Sequence, residues 1–396
     1  MVSLRRATAD DIPFILATER LPGYDVLVGR FDEEIHRAHL ADNGWLYFIG
    51  KDDAGAAGGF AILEDRGRAS GDEYLRRIAV TNAGAGFGKQ FLTKLIEWVF
   101  AETPAQRLRL HVRGTNVRAR HVYTALGFVE ERAEGDGAFM VLTRAHWSLK
   151  TRLAKPRFPR SSQYDPMWIV DNLMGPHVLW LAEHLSEKLA LKPGMRILDL
   201  GCGKAISSIF FAKEFGVHVT ACDLWIAAED NAARIAAAGL SDRIAPVHAE
   251  AHALPFDDAS FDTIVSLDAY HYFGTDDLYL GTPARLLKPG GRLGIVCPGV
   301  TRELEAPPPH LARWWQWEFC SFHTPDWWRR HWSKTGLLTV ETADWMPDGK
   351  ALWSEWNRTT APMIGERGAL ADAEADMLDA DTEGLLGFVR AVARKE

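Results

Sequence analysis

The sequence contains little cysteine and no long apolar run. Only four cysteines occur in 396 residues, and no two of them form a C-x-x-C pair. Such dispersed cysteines do not form the disulfide framework of a secreted scaffold, so they indicate a reducing compartment. No uncharged apolar stretch reaches the roughly 18 residues that a membrane-spanning helix needs. Asp10 and Asp11 interrupt the N-terminal region before any signal-peptide core. These absences predict a cytoplasmic protein with no membrane partner.

An excess of positive charge is also missing. The formal net charge is −8, whereas proteins that bind nucleic acid through its phosphates are usually basic. The composition therefore argues against a nucleic-acid partner. A hydrophobic fraction of 47% is typical of globular protein, and 396 residues predict two or three domains. The oligomeric state is left open.

A basic, proline-containing segment at 149–163 separates two differently patterned parts. From Lys150 to Arg160 it has two prolines, five cations and no acid, which is typical of a linker. Residues 1–148 mix helices with strands, which predicts an α+β domain. Residues 164–396 alternate strands and helices, which indicates a doubly wound, Rossmann-like parallel sheet. The strands are predicted at 45–50, 58–63, 75–80, 107–112, 197–201, 218–223, 244–249, 262–268 and 292–297.

A glycine-rich turn, Asn82-Ala-Gly84-Ala-Gly86-Phe-Gly88, joins the strand at 75–80 to a predicted helix at 87–102. Glycines let the backbone turn sharply and approach a ligand closely. The start of a helix presents unpaired N–H groups and the positive end of the helix dipole. Together these features predict a cradle for a pyrophosphate.

Residues 75–128 resemble the GNAT acetyltransferase superfamily, and the likeness extends loosely over 4–147. The first signature of that family, Arg/Gln-x-x-Gly-x-Gly/Ala, matches at Gly86 and Gly88, while Ala83 stands where Arg or Gln is usual. The second, Asn-x-x-Ala-x-x-x-Tyr-x-x-x-Gly-Phe, matches at every position from Asn116 to Phe128.

This resemblance implies acetyl transfer from acetyl-CoA to an amine. Tyr123 would protonate the departing thiolate, and Glu73 would deprotonate the amine directly or through a water. The other readings are a core tyrosine and an ordinary acid at a strand end. The acetyl-CoA ligands implied are Ile78, Val80, Gly84, Gly86, Gly88, Lys89, Asn116 and Tyr123.

The segment Ile197-Leu-Asp199-Leu-Gly201-Cys-Gly203 places two glycines directly after an apolar strand. Ligands of open α/β sheets bind at such strand ends. The dinucleotide pattern Gly-x-Gly-x-x-Gly fails at Ile206, and the charge of Asp199 would repel a phosphate. Asp223 ends the next strand, where an acid can accept hydrogen bonds from ribose hydroxyls. A nucleoside with an amino-acid tail and no phosphate meets these conditions, and S-adenosylmethionine (SAM) is such a ligand.

Residues 164–300 resemble class I SAM-dependent methyltransferases. Besides the glycine segment, the likeness rests on Ala221-Cys-Asp223, on the segment from Ala249 to Phe256 and on Lys288-Pro-Gly-Gly291. Glu250 stands where the family usually has an Asp that contacts the adenine amino group. The resemblance implies methylation of a small molecule. The SAM ligands that we infer are Asp199, Gly201, Cys202, Gly203, Asp223, Leu224, Glu250, Ala251, Ser266, Asp268 and Tyr164.

The segment from Ser266 to Phe273 follows the fourth predicted strand, which places it beside the methyl donor. His271 is the predicted base and Tyr270 or Tyr272 an orienting group, although His271 packed against the cofactor edge is an equal alternative. Residues 312–356 contain nine of the fifteen tryptophans. We expect several to be core, and we interpret the segment as a substrate lid whose tryptophan faces could bind a cation.

The sequence therefore predicts a bifunctional transferase with two cofactors, SAM and acetyl-CoA, and no metal. Two alternatives stay open. Ala83 motivates a methyltransferase whose N-terminal half is a non-catalytic recognition or dimerisation module. The basic linker and the aromatic segment motivate an enzyme that modifies RNA or protein.

Overall fold

The computed structural model describes residues 2–24, 27–64, 71–84 and 86–396. The chain divides into two compact units, Met1–Arg152 and Leu153–Glu396. This division falls inside the predicted linker at 149–163. Across the described ranges no helix is long and apolar enough to cross a membrane. The cytoplasmic location stays a prediction.

The first unit is built on a seven-stranded sheet in the order β1-β2-β3-β4-β5-β7-β6. β4 and β5 run parallel, and every other neighbouring pair is antiparallel. The strands are β1 Ser3–Arg6, β2 Trp45–Lys51, β3 Ala57–Glu64, β4 Asp72–Val80, β5 Arg107–Arg113, β6 Val129–Glu134 and β7 Gly137–Thr143.

Both faces of this sheet are covered. Successive side chains of a strand point to opposite faces, and in β3 Phe60 and Ile62 enter one apolar cluster while Ala61 and Leu63 enter the other. The helices are α1 Ile12–Glu19, α2 Glu33–Ala41, α3 Phe87–Glu102, α4 Val117–Leu126 and α5 Arg144–Leu153. The mixed α+β prediction for this half is confirmed.

The second unit is built on another seven-stranded sheet, in the order β10-β9-β8-β11-β12-β14-β13. The first five strands of that order are parallel, and the last two pairings are antiparallel. The strands are β8 Arg196–Leu200, β9 His218–Asp223, β10 Ile244–His248, β11 Phe261–Leu267, β12 Leu287–Val300, β13 Thr339–Trp345 and β14 Leu386–Arg394. The chain order reverses between β8 and β11, which is where ligands of such sheets bind.

The predicted doubly wound architecture is confirmed, with differences at the C-terminal end. The sequence predicted no strand after 292–297, but after the helix Gly368–Ala380 the chain forms β14, which inserts between β12 and β13. The helices are α6 Pro166–Asp171, α7 Val178–Ser186, α8 Ile206–Phe215, α9 Ala228–Ala237, α10 Gly281–Leu286, α11 Pro325–Ser333, α12 Gly349–Thr360 and α13 Gly368–Ala380. Within the tryptophan-rich segment 312–356, Trp328, Trp332 and Trp356 are fully buried core residues.

The predicted linker is not an open connection. After α5, Phe158 is buried, and the backbone N–H groups of Arg160 and Ser161 donate to the carboxylate of Glu183 on α7 at 3.0 and 2.8 Å. A buried carboxylate that accepts backbone N–H bonds holds the chain in place. Residues 154–163 therefore belong to the second unit.

Candidate functional sites

The two parallel strands of the first unit separate part of the way along. β4 pairs with β5 from Asp72 to Leu75, opposite Arg107–Leu110, but β4 continues to Val80 and β5 to Arg113. Beyond the last pair, backbone groups on the facing edges have no strand partner, and such groups need another partner when buried. The result is a notch between the carboxyl ends of β4 and β5.

The glycine turn lies at this notch. Gly84 and Gly86 have φ angles of 107° and 80°, a left-handed region that glycine tolerates best. Gly86 caps α3, whose first turn carries no acidic residue and includes Gly88 and Lys89. The first N–H groups of the helix have no intrahelical acceptor and lie at the positive end of the helix dipole. Four predicted ligands, Gly84, Gly86, Gly88 and Lys89, lie on this turn and in the first turn of α3, and their role as an anion cradle stays a prediction. Ala85 lies outside the described residues.

Tyr24 occupies part of the notch, which sequence reasoning missed. Its hydroxyl donates to the carbonyl oxygen of Val80 at 2.8 Å and accepts from the N–H of Val80 at 3.2 Å. Ile78 and Val80 were predicted to bind acetyl-CoA, and in this structure the backbone groups of Val80 are already paired. No motif could have shown this contact, because Tyr24 is 56 residues from Val80 in the chain.

Tyr123 lies on α4 and is almost completely buried, with its ring 5.7 Å from that of Phe128. Burial raises the pKa of its phenol, which keeps the side chain neutral at neutral pH and makes it a weaker acid than a solvent-exposed tyrosine. The Asn116 side chain accepts a hydrogen bond from the N–H of Ala119 at 3.1 Å and so caps α4. Both residues have structural roles besides the predicted ones.

Glu73 was expected just before the central strand, but β4 already begins at Asp72. Glu73 is 1% exposed and lies opposite Leu108, in the paired part of β4. The notch begins after Leu75, so the structure does not bring Glu73 to its mouth. Its role as a base stays a prediction.

The second unit has a cavity of about 250 Å³ at the carboxyl ends of β8, β9 and β11. It lies where the strand order reverses, the position expected for a ligand of this fold. Predicted SAM ligands that line this donor cavity are Gly201, Cys202, Gly203, Asp223, Leu224, Glu250, Ala251 and Asp268. They come from four separate segments of sequence, so the fold collects them.

The glycines of the β8 turn are required by close contacts as well as by backbone angle. A Cβ on Gly201, where φ is 75°, would lie 2.5 Å from Cβ of Ala269. A Cβ on Gly203, where φ is 53°, would lie 3.0 Å from Cγ of Met174. Both neighbours line the cavity, so larger residues would displace its walls.

Asp223 organises the loop around the cavity. Oδ2 accepts from the N–H of Gly203 at 2.7 Å, and Oδ1 accepts from the N–H groups of Trp225 and Ile226 at 2.8 and 3.0 Å. A carboxylate has about four acceptor positions, which leaves about one on Oδ2 for a ligand hydroxyl. Trp225, which sequence reasoning missed, lines the cavity although it is 73% exposed. The signal available in the sequence was a tryptophan two residues after the acid that ends the strand.

Asp199 lies behind the glycine turn and does not line the cavity. It is fully buried, and Oδ2 accepts hydrogen bonds from Ser207 and Ser208 of α8, both at 2.6 Å. Oδ1 is buried and has no hydrogen-bond partner among the described residues. Burial, opposed by the two serine hydrogen bonds and reinforced by the charge of Asp223, raises the pKa of Asp199 to about 6. The structure does not bring its carboxylate to the cavity surface.

Two further predicted SAM ligands do not line the cavity. Tyr164 donates to Oε1 of Glu214 at 3.1 Å on α8, and Ser266 donates to the carbonyl oxygen of Leu200 at 2.7 Å. α6 follows Tyr164 in the chain, and it is the segment after α6 that reaches the cavity. The lining residues there are Asn172, Met174, Gly175 and Pro176.

Glu250 lines the cavity with its carboxylate already engaged. Oε1 contacts Nδ1 of His252 at 2.7 Å, and Oε2 accepts from the N–H of His252 at 2.9 Å. The hydrogen bond from the His252 ring is the largest cause of a lowered pKa of Glu250. The predicted contact with an adenine amino group therefore competes with His252.

His271 and Tyr270 lie behind the wall of the cavity. His271 is 2% exposed, and burial lowers its pKa to about 3, which makes it a weak base. Tyr270 is fully buried between Trp328 and Trp332, with ring distances of 5.8 and 5.9 Å. The placement agrees with the packing alternative for His271. Tyr272 and Asp268 line the cavity instead.

Asp268 is the unusual residue of this wall. It is a non-glycine residue with φ of 54°, a strained value that persists where the surroundings enforce it. Burial, followed by the charge of Glu374, raises its pKa well above the ordinary value.

In the part of the chain that the structure describes, no group of three or more His, Cys, Asp or Glu residues could hold a metal ion.

Comparisons with known proteins assign the two halves differently. Residues 15–128 match the acetyltransferase (GNAT) family, and residues 197–291 match a methyltransferase domain. A 27-O-demethylrifamycin SV methyltransferase from Amycolatopsis mediterranei is 34% identical over 29% of this chain and 43% of its own length. A phosphoethanolamine N-methyltransferase from Arabidopsis thaliana is 35% identical over 28% of this chain and 22% of its own length.

Among solved structures, a Haemonchus contortus phosphoethanolamine N-methyltransferase in complex with SAM matches with a TM-score of 0.48 and 17% identity. The match covers 77% of this chain and 81% of that one. The chain spans less than half the length of the two relatives aligned by sequence. The N-terminal half resembles the GNAT acetyltransferase superfamily and the C-terminal half resembles the class I SAM-dependent methyltransferases.

Proposed function

We propose that the chain is a bifunctional transferase, in which the second unit methylates a small molecule with SAM and the first acetylates an amine with acetyl-CoA. The observation that carries the methyltransferase part is the donor cavity at the strand switch point. By its name, one relative methylates an oxygen atom and the other a nitrogen atom. The two relatives therefore do not identify the acceptor atom.

The cavity favours SAM over a dinucleotide for a physical reason. In a phosphate-binding loop, the backbone N–H groups of the glycine turn must be available to the anion. Here the N–H of Gly203 already donates to Asp223, whose negative charge would also repel a phosphate. A ribose hydroxyl can instead donate to the remaining acceptor position of that carboxylate.

When bound, SAM supplies an activated methyl group on a cationic sulfur. The chain's own contribution is to position the acceptor in line with that methyl group and to exclude water. The side chains of Leu267, Tyr272 and Phe273 line the cavity and provide its apolar wall. Asp268 lies on the same wall, and a cationic cofactor beside it would favour its carboxylate form and so lower its raised pKa.

We test the methyltransferase proposal by isothermal titration of the full chain with SAM and, separately, with NAD. We expect micromolar binding of SAM, no measurable binding of NAD, and a loss of about tenfold or more in SAM affinity for Asp223→Asn, because a charge-assisted hydrogen bond is worth about 1.5–3 kcal/mol. Asp257→Asn, in an exposed loop, is the control. Preference for NAD would overturn the proposal.

For the first unit, the notch and the anion cradle support acetyl-CoA binding, and Tyr123 supports protonation of the thiolate. We expect Tyr123→Phe to lower the rate of acetyl transfer by about 100-fold, the lower end of general acid catalysis, with an unchanged dissociation constant for acetyl-CoA. Release of free CoA in a thiol assay measures the rate, with an amine library as acceptor. An unchanged rate would leave Tyr123 with its packing role.

Tyr24 gives an independent test of the notch. If acetyl-CoA pairs with the backbone of Val80, the cofactor must displace the Tyr24 hydroxyl and lose the benefit of two hydrogen bonds. Tyr24→Phe is then expected to tighten acetyl-CoA binding by about five- to 150-fold, since each of the two bonds is worth about 0.5–1.5 kcal/mol net. Titration calorimetry measures the change. Equal affinities would show that the cofactor does not use these backbone groups.

The main alternative is that the first unit is a non-catalytic module. Ala83 in the first signature and Tyr24 on Val80 are the observations in its favour. Absence of acetyl-CoA binding at high micromolar concentration, in the wild type and in Tyr24→Phe, would establish this alternative.

A further inference from the structure

A second cavity of about 250 Å³ lies between helix α13 and the loop that precedes α11. It is distinct from the donor cavity in all of its lining residues. Those residues are Arg313, Trp314, Trp315, Gln316, Phe319, Leu370, Ala373, Glu374 and Met377. We call it the aromatic cavity.

Glu374 is the carboxylate in this lining, and half of it lacks a partner. Nε1 of Trp353 and Nδ2 of Asn357 both donate to Oε2, at 3.3 and 2.9 Å. Oε1 accepts no hydrogen bond, and no cation pairs with Glu374, among the residues that the structure describes. Burial raises the pKa of this carboxyl. Glu374 is half-buried and has no counterion among the described residues, so a cation from outside would be stabilised beside its carboxylate.

The rings of the aromatic cavity also suit a cation. Trp315 and Phe319 meet edge to face, with centroids 5.4 Å apart and planes at 86°, and so form a corner. The guanidinium of Arg313 lies 3.6 Å from the ring centroid of Trp314, so a cation of the chain already occupies one face of that ring and leaves the corner of Trp315 and Phe319 for a ligand. Tryptophan faces attract cations through the ring quadrupole.

Helix α12, which supports Glu374, also contacts the donor cavity. Asn357 and Trp356 are neighbours on α12: Asn357 donates to Glu374, and Nε1 of Trp356 donates to the carbonyl oxygen of Gly175 in the donor cavity wall at 2.9 Å. The charge of Glu374 also contributes to the raised pKa values of Asp268 and Tyr272, which line the donor cavity. The two cavities are therefore joined by α12.

We propose that the aromatic cavity binds a small aliphatic amine in its ammonium form, held by Glu374 and by the corner of Trp315 and Phe319. This inference adds a ligand site to the second unit and does not depend on the proposed methyl transfer.

The test compares choline with 3,3-dimethyl-1-butanol, which has the same shape without the charge. Choline has no N–H and is not methylated, so it reports binding alone. We titrate the full chain with each probe and follow tryptophan fluorescence and heat. We expect choline to bind at least tenfold more tightly than the alcohol. Equal affinities for the two probes would overturn the inference. Absence of choline binding up to about 50 mM, which is about tenfold above the dissociation constant of a weak 5 mM site, would also overturn it.

Glu374→Gln is the decisive variant, because glutamine can still accept from Trp353 and Asn357. We expect it to weaken choline by at least tenfold and to leave the alcohol unchanged. Asp372→Asn is the matched control, since Asp372 lies on the same helix, outside the cavity, with Arg358 3.6 Å away. Unchanged choline affinity in Glu374→Gln would overturn the inference. SAM affinity is measured in the same samples, and its absence in the wild type would instead overturn the proposed function.

Discussion

Gly201→Ala is expected to reduce SAM affinity by about 100-fold. The new Cβ would lie 2.5 Å from Cβ of Ala269, a distance that forces one of the two segments to move. Both segments line the donor cavity, between β8 and the residues that follow β11. Overpacking of this kind costs about 1–3 kcal/mol, and the upper value corresponds to about 100-fold in binding. Titration calorimetry with SAM measures the loss.

Gly290→Ala provides the matched control for this prediction. Gly290 has φ of 77°, close to that of Gly201, but a Cβ there would meet nothing within 4 Å. The two variants therefore carry similar backbone strain, and only Gly201→Ala carries the clash. We expect Gly290→Ala to lower the melting temperature slightly and to bind SAM normally. Equal SAM affinities for the two variants would contradict the assignment of the cavity.

Asp199→Asn is expected to stabilise the second unit at neutral pH by about 3 kcal/mol. Burial raises the pKa of Asp199 from 3.8 to about 6, so between these values the folded chain holds a proton that the unfolded chain has released. Stability therefore falls as pH rises from 3.8 to 6, by about 1.4 kcal/mol per pKa unit. Asparagine removes that cost, because it is neutral at every pH.

Urea unfolding without cofactor, followed across the transition of the second unit, checks this prediction. The gain from Asp199→Asn should be full above pH 6, shrink as the pH falls, and vanish below 3.8. A gain that does not depend on pH would show that ionisation of Asp199 does not destabilise the folded chain. SAM affinity is the second readout. A fall in affinity together with the rise in stability would show that the charge of Asp199 acts on the cofactor although it does not touch the cavity.

Local pattern predicted the elements that carry their own signal. The helix Phe87–Glu102 and the strand His218–Asp223 occur with the predicted bounds, because their apolar side chains repeat at the helix and strand periods. β14 was missed, since its segment is apolar without alternation and lies next to a helical pattern. It is buried along nearly its whole length between two strands, and only those neighbours make it a strand.

Sequence alone determined the two domain types, the glycine turns and the strand-end acids, because motifs of that kind are fixed by short-range backbone geometry. Tertiary structure decided which of those residues face a ligand. It placed Asp199, Tyr270 and His271 behind the cavity wall, and it brought Tyr24 onto Val80 and Trp356 onto Gly175. These outcomes depend on which way each side chain points and on contacts between distant segments, and neither is encoded in local spacing.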